Sequence, residues 1–126
     1  MKKPSWATDH PQKKVRLYDV NVWVDRKMAS LLCVLNNELG CKTNFSCQGS
    51  TNPKRGCLDG AYISFEDRDS ARFFFDLIAD EVEYVQWESK TRLKSRGRGA
   101  CVRFYHREIR RVLRVCEEAA AQTREV

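Results

Sequence analysis

Residues 24–49 read VDRKMASLLCVLNNELGCKTNFSCQG, and their pattern sets the architecture of the chain. Asp25 stands where a helix N-cap belongs, Met28, Leu31, Leu32, Leu35 and Leu39 recur at helical spacing, and Gly40 supplies the stop. Thr43-Asn44-Phe45-Ser46-Cys47 leaves that glycine as a short strand and runs into a Ser46-Cys47-Gln48-Gly49 corner. A helix, a tight turn and a strand that ends in polar side chains and a glycine suit the holding of a small polar ligand.

Outward from this stretch, residues 1–14 are polar, contain Pro4 and Pro11 and show no periodicity. They are predicted to be a loose arm, leaving 15–126 as a single ligand-binding domain. Val15 to Trp23 reads as one strand. Beyond the corner, residues 48–58 are rich in loop formers and Ala61 to Phe65 is the next strand. Asp67 or Asp69 caps a second helix in which Ala71, Phe74, Phe75 and Ile78 share a stripe that Phe73 and Leu77 widen. A stripe that wide predicts burial from two sides, by the core and by a second copy of the chain.

From Val82 to Leu93 the pattern alternates, with Val85, Trp87, Ser89, Thr91 and Leu93 on one face and Tyr84, Gln86, Glu88, Lys90, Arg92 and Lys94 on the other. Ser95 to Gly99 turns the chain, and Ala100, Val102 and Phe104 return as a strand. A turn at 96–99 sets Leu93 opposite Val102, Thr91 opposite Phe104 and Arg92 opposite Arg103. Two like charges directly across a ladder call for an anion between them. A third helix follows, with Ile109, Val112, Leu113 and Cys116 inward. The predicted order is β-α-β-β-α-β-β-α, an α+β domain of mainly antiparallel sheet with packed helices.

At 126 residues the chain is sized for one core. No apolar run is long enough to cross a bilayer, and the Met1-Lys2-Lys3-Pro4-Ser5-Trp6 start leads into no apolar stretch, so a cytoplasmic protein without membrane partners is expected. The six cysteines are read as reduced thiols, several of them buried. The spacings of Cys41, Cys47 and Cys57 match no paired-cysteine zinc pattern, and His10 and His106 are the only histidines, so neither a metal nor a cofactor is expected. The net charge of +6 is unevenly spread: residues 66–88 hold eight acids against two bases, and residues 90–114 hold ten bases against Glu108. Concentrated positive charge points to an anionic partner, a nucleotide phosphate or a nucleic acid.

Cys47 invites comparison with a catalytic nucleophile, for which His106 is the one plausible base. The more economical reading makes Cys47 a packing residue, Ser46 and Gln48 hydrogen-bonding groups and Gly49 the residue that permits an unusual backbone angle, with no catalytic residue assigned. Lys54 and Arg55 then lend charge to a second anionic site.

The motifs between Val24 and Ile63, followed by the phenylalanine-rich helix and the final basic strand-helix unit, resemble the phage anti-Thoeris sponge family over roughly residues 20–115. The resemblance implies a non-enzymatic protein that sequesters cyclic ADP-ribose isomers in the bacterial host cytosol. It further implies assembly into homodimers and hexamers, and some family members resemble anti-CBASS sponges that take cyclic di- or trinucleotides at a separate site. Carried onto this sequence, it places arginines on a diphosphate, Arg26 at the first helix and either Arg103 or Arg107 late in the chain, with Tyr84 or Trp87 near the base. A second ligand site is assigned to Asn36, Gly40, Gln48 and Arg55. Two alternatives remain. One is a nucleic-acid binder using the basic 90–114 segment, although nucleic acid is not the expected partner. The other is a Cys47-dependent or methyl-transferring enzyme, suggested by the Ser-Cys-x-Gly element of the wybutosine-synthesis methyltransferase family, whose glycine-rich cofactor loop this chain lacks.

Overall fold

The computed structural model describes residues 11–49, 60–88 and 100–124. The fold is α+β, with antiparallel sheets and three helices. Strands β1 (Gln12–Leu17) and β2 (Val20–Asp25) form a hairpin, and a 3₁₀ turn (Arg26–Met28) opens helix α1 (Ala29–Cys33), which widens into a π-helical turn (Val34–Glu38). Strands β3 (Thr43–Cys47) and β4 (Gly60–Phe65), helix α2 (Arg68–Ile78), and strands β5 (Val85–Glu88) and β6 (Ala100–Tyr105) follow. A second 3₁₀ turn (His106–Glu108) leads into α3 (Ile109–Arg124). The second sheet has the order β3-β4-β6-β5.

Three expectations are corrected. The single strand over Val15–Trp23 is a two-stranded hairpin that also takes in residues 12–14 of the supposed arm, because the chain reverses at Tyr18-Asp19. Tyr18 holds φ +56 there, a conformation that signals a turn when glycine supplies it and is hidden when tyrosine does. Asn37 secures the reversal, accepting the Tyr18 N–H at 2.7 Å and donating to the Arg16 carbonyl at 2.9 Å.

The second correction concerns register. β6 pairs with Val85–Glu88, so Val85 faces Phe104, Trp87 faces Val102 and Gln86 faces Arg103. The partner strand is shifted by six residues from the expected pairing, and the arginine-on-arginine apposition disappears. Residues 90–94 lie outside those described. An even shift keeps every side chain on its expected face, and this register joins the apolar pairs while giving Arg103 a carboxylate, Glu88, at 2.6 Å. The third correction is at Asp25, whose side chain does not cap the helix it precedes.

The remaining elements follow from local chemistry. The Asp67 carboxylate caps α2, accepting the Ser70 N–H at 2.7 Å and the Ser70 hydroxyl at 3.0 Å. Gly40 ends the first helix at φ +70. The π-helical turn has a local cause: the Asn36 side chain donates at 2.8 Å to the Leu32 carbonyl that its own backbone N–H would ordinarily use.

One hydrophobic core joins the helices to a single face of the four-stranded sheet. Ala61, Ile63, Phe65, Ala100, Val102 and Phe104 meet Leu31, Leu32, Leu35, Phe74, Ile78, Val112 and Cys116. The widened stripe of α2 is largely absorbed within the chain: Phe74 and Ile78 are fully buried, Phe75 stands edge-on to Trp87 at 5.8 Å, and Phe73 remains 46% exposed. Among the described residues no helix is long and apolar enough to cross a membrane, and no two cysteines are bridged.

Candidate functional site

The helix of residues 26–38 and strand β3 run antiparallel and are pinned at both ends. At the far end Asn36, 2% exposed, spends its whole carboxamide inside the protein: Nδ2 donates to the Thr43 hydroxyl at 3.0 Å and Oδ1 accepts the Thr43 N–H at 3.0 Å. At the near end the Gln48 side chain, 5% exposed, accepts the Lys27 N–H at 3.2 Å and so performs the cap that Asp25 was expected to provide. Asp25 turns the other way, accepting the Gln48 N–H at 2.9 Å and a side-chain amide hydrogen of Gln12.

A second helix start reaches the same corner. Tyr105 ends β6, and His106 opens the 3₁₀ turn before α3. The His106 ring places Nδ1 2.6 Å from the Gln48 carbonyl and Nε2 3.4 Å from Lys27 Nζ. A carbonyl can only accept, so Nδ1 carries the hydrogen and Nε2 offers its lone pair to the lysine ammonium. Both ring nitrogens are thereby engaged. Gly49 closes the corner at φ +71, where a Cβ would lie 2.6 Å from the Gly60 backbone carbon.

The corner opens onto the sheet face that no described helix covers. Strand alternation puts Cys47, Tyr62, Arg103 and Gln86 in one cross-strand row of that face, and Phe45, Ser64, Cys101 and Glu88 in the next. At the end nearest the corner, Tyr105 stacks on Tyr84 at 4.9 Å and the Arg107 guanidinium lies 4.2 Å from the Tyr105 ring centroid. Arg107 also bonds Glu83 at 3.0 Å. Arg103 lies 5.1 Å from the Tyr62 ring and is held by Glu88, whose hydrogen bond raises its pKa above the usual guanidinium value. Burial pushes the Cys101 thiol up to about 11, so at neutral pH it is a packed, protonated group.

The predicted site residues therefore fall into separate places. Arg26, exposed at the first helix start, and Arg107, next to His106, belong to the two stretches that converge on Gln48. Tyr84 stands beside Arg107 through Tyr105. Arg103 is one strand residue pair further along the same face. Trp87 is on the opposite face, against Phe75 and under Arg72 at 5.0 Å. The second grouping is not assembled: Asn36 and Gly40 sit at the other end of the helix from Gln48, about 14 Å away at 1.5 Å rise per residue, and Arg55 lies outside the described residues.

Asp25, Lys27 and Tyr105 were not singled out as site residues from the sequence, and His106 was considered only as a base for Cys47. A usable signal was present: both strand-to-helix junctions carry adjacent basic residues, Arg26-Lys27 and His106-Arg107. No protein-family model, no curated protein and no solved structure matches the chain.

Proposed function

We propose that this chain is a non-enzymatic binding protein that captures cyclic nucleotide second messengers, cyclic ADP-ribose isomers or cyclic di- and trinucleotides, and so withholds them from their receptors. The observation that carries the reading is the convergence of residues 26–27 and 105–107 on one corner, with Lys27 Nζ 3.4 Å from His106 Nε2 and the neighbouring Tyr105 ring stacked on Tyr84. A cyclic nucleotide combines close phosphates with a flat base. Arg26, Lys27 and Arg107 supply charge for the first, and the Tyr84–Tyr105 pair supplies a surface for the second. Arg107 suits the late arginine better than Arg103, since it adjoins the corner and its ion pair with Glu83 is solvent-exposed and readily exchanged for a phosphate. Sequestration in a bacterial host cytosol, as in the sponge family that the sequence resembles, belongs to this proposal.

Native mass spectrometry with a panel of cyclic nucleotides tests it, together with recovery of the ligand after heat denaturation. The expected result is a stoichiometric complex and chemically unchanged ligand. Arg26→Ala or Arg107→Ala should each weaken capture by roughly ten- to a hundredfold, the equivalent of one charge-assisted contact of about 1.5–3 kcal/mol. New products on incubation would return the Cys47-dependent enzyme to first place.

A nucleic-acid binder is the second reading. It is favoured by Arg110 and Arg114, exposed one turn apart on α3 and without an acidic partner among the described residues. That reading predicts tight binding of long oligonucleotides with a steep salt dependence, and small losses shared across many basic residues.

A further inference from the structure

We infer that His106 is the positioning residue of the corner and sets its affinity for anions according to pH. Neutral, the ring holds the Lys27 ammonium to itself; protonated, it releases Lys27 and becomes a further cation beside it. The inference names a regulation of the capture site proposed above and rests on that site's taking anions, though not on which anion it takes.

The two bonds of the ring respond differently to a proton. Nδ1 lies 2.6 Å from the Gln48 carbonyl, which only accepts, so Nδ1 carries a hydrogen in either charge state. Nε2 lies 3.4 Å from Lys27 Nζ, and an ammonium only donates, so this contact needs the lone pair that the neutral ring alone possesses. Protonation therefore keeps the first bond and abolishes the second. Gln48 is itself tied on both sides, its side chain accepting the Lys27 N–H at 3.2 Å and its own N–H held by Asp25 at 2.9 Å. The ring stays against Gln48, and it is the exposed Lys27 side chain that turns away.

The other charged groups of the corner leave the added charge uncancelled. Asp25 accepts the Gln48 N–H and an amide hydrogen of Gln12. Glu108, in the same turn as His106, accepts the Glu83 N–H at 3.2 Å, and Glu83 bonds Arg107 at 3.0 Å. Among the described residues no carboxylate pairs with His106. Arg26, Lys27 and Arg107 are cationic, and Cys47 and Tyr105 complete the titratable groups on the elements that meet there. Of all these residue types only imidazole ordinarily changes charge between about pH 5 and 8. An anion at the corner is thus favoured by uptake of one proton at Nε2, and its affinity rises as pH falls through that range. A unit charge about 4 Å from a phosphate in water is worth roughly fivefold in affinity.

Nuclear magnetic resonance of the full chain tests this, with inorganic sulfate as the probe because it keeps its charge between about pH 5 and 8. In the ligand-free protein the neutral His106 ring should bear its hydrogen on Nδ1, and its protonation should move the Lys27 side-chain resonances while the Gln48 carbonyl shift stays in place. Sulfate should bind roughly fivefold more tightly at the acid end of the range, perturbing residues 26–27 and 105–107. His106→Gln retains a carbonyl oxygen for Lys27 but takes up no proton, so it should flatten the profile at the weaker level, which separates His106 from the general gain of positive charge in acid. His10→Gln, at the other histidine of the chain, should leave the profile unchanged. Lys27→Met should weaken binding more in acid, where the ammonium is released, than at the alkaline end. A neutral ring protonated on Nε2 overturns the inference, as does a pH profile that is flat or indifferent to His106→Gln, or an absence of sulfate binding throughout. Sulfate bound more tightly in acid through His106, with no cyclic nucleotide captured at any pH, supports the inference and sinks the messenger reading instead.

Discussion

Gly40 and Gly49 share one backbone conformation, φ +70 and φ +71, and differ in surroundings: no atom lies within 4 Å of a Cβ built on Gly40, whereas one built on Gly49 meets the Gly60 carbon at 2.6 Å, its oxygen at 2.7 Å and the Ala61 nitrogen at 2.8 Å. Replacing each by alanine therefore separates conformational strain from crowding. Alanine at Gly40 incurs only the left-handed penalty of roughly 1–2 kcal/mol, partly offset by about 0.4–1 kcal/mol from a stiffer unfolded chain. At Gly49 the same terms apply, and the methyl group must also displace backbone of β4, a strand paired on both sides. Overpacking of that kind costs about 1–3 kcal/mol. Gly49→Ala should thus be the less stable by about 1–3 kcal/mol, and at roughly 3–5 °C per kcal/mol for a chain of this size the two melting temperatures should separate clearly. Urea unfolding with matched m-values provides the free energies. Equal destabilisation of the two variants would refute the close approach of Gly49 to Gly60 on which the geometry of the corner rests.

Asn36→Ala removes three hydrogen bonds and leaves the Thr43 N–H without its partner in a closed interior, so it should cost about 2–4 kcal/mol in urea unfolding while leaving ligand stoichiometry intact. Burial raises Cys101 to about 11 and Cys116 to about 12. The unfolded thiols release protons from about pH 9 while the folded ones hold them, so stability should be level below pH 9 and fall above it by on the order of 1 kcal/mol per pH unit per thiol. Cys116→Ala should flatten that slope, and native alkylation at pH 8 should leave both thiols unmodified until the protein unfolds.

How much of this was legible follows from which features are local. The helix from residue 26, its stop at Gly40, the strand to Cys47 and the Asp67 cap each depend on periodicity or on a cap within a few residues, and all appear in the structure. The first hairpin was hidden because its turn places Tyr18 at positive φ, with its N–H accepted by Asn37 nineteen residues on. The β5–β6 register was misread because any even shift satisfies the alternation of apolar residues. The observed shift joins Val85 to Phe104 and Trp87 to Val102 and brings Glu88 to Arg103, contacts between strands that no single stretch of sequence announces. The faces were nevertheless right, since alternation survives even shifts, and so Arg103 and Tyr84 could be placed on the face that no described helix covers.

The corner is where local rules give way to distant ones. Asp25, positioned to cap its own helix, instead orients Gln48, and Gln48 caps that helix from another strand while its carbonyl fixes the tautomer of His106 at the start of a third element. Each substitution of a remote partner for a local one makes the residue's position depend on tertiary structure, which a fold has no need to do for stability alone when Asp25 is already in place. The arrangement brings Lys27 Nζ to 3.4 Å from His106 Nε2 at two helix starts, with Arg26 and Arg107 adjacent in sequence. The capture proposed above calls for donors that are set before the ligand arrives, because every side chain ordered on binding subtracts from the affinity.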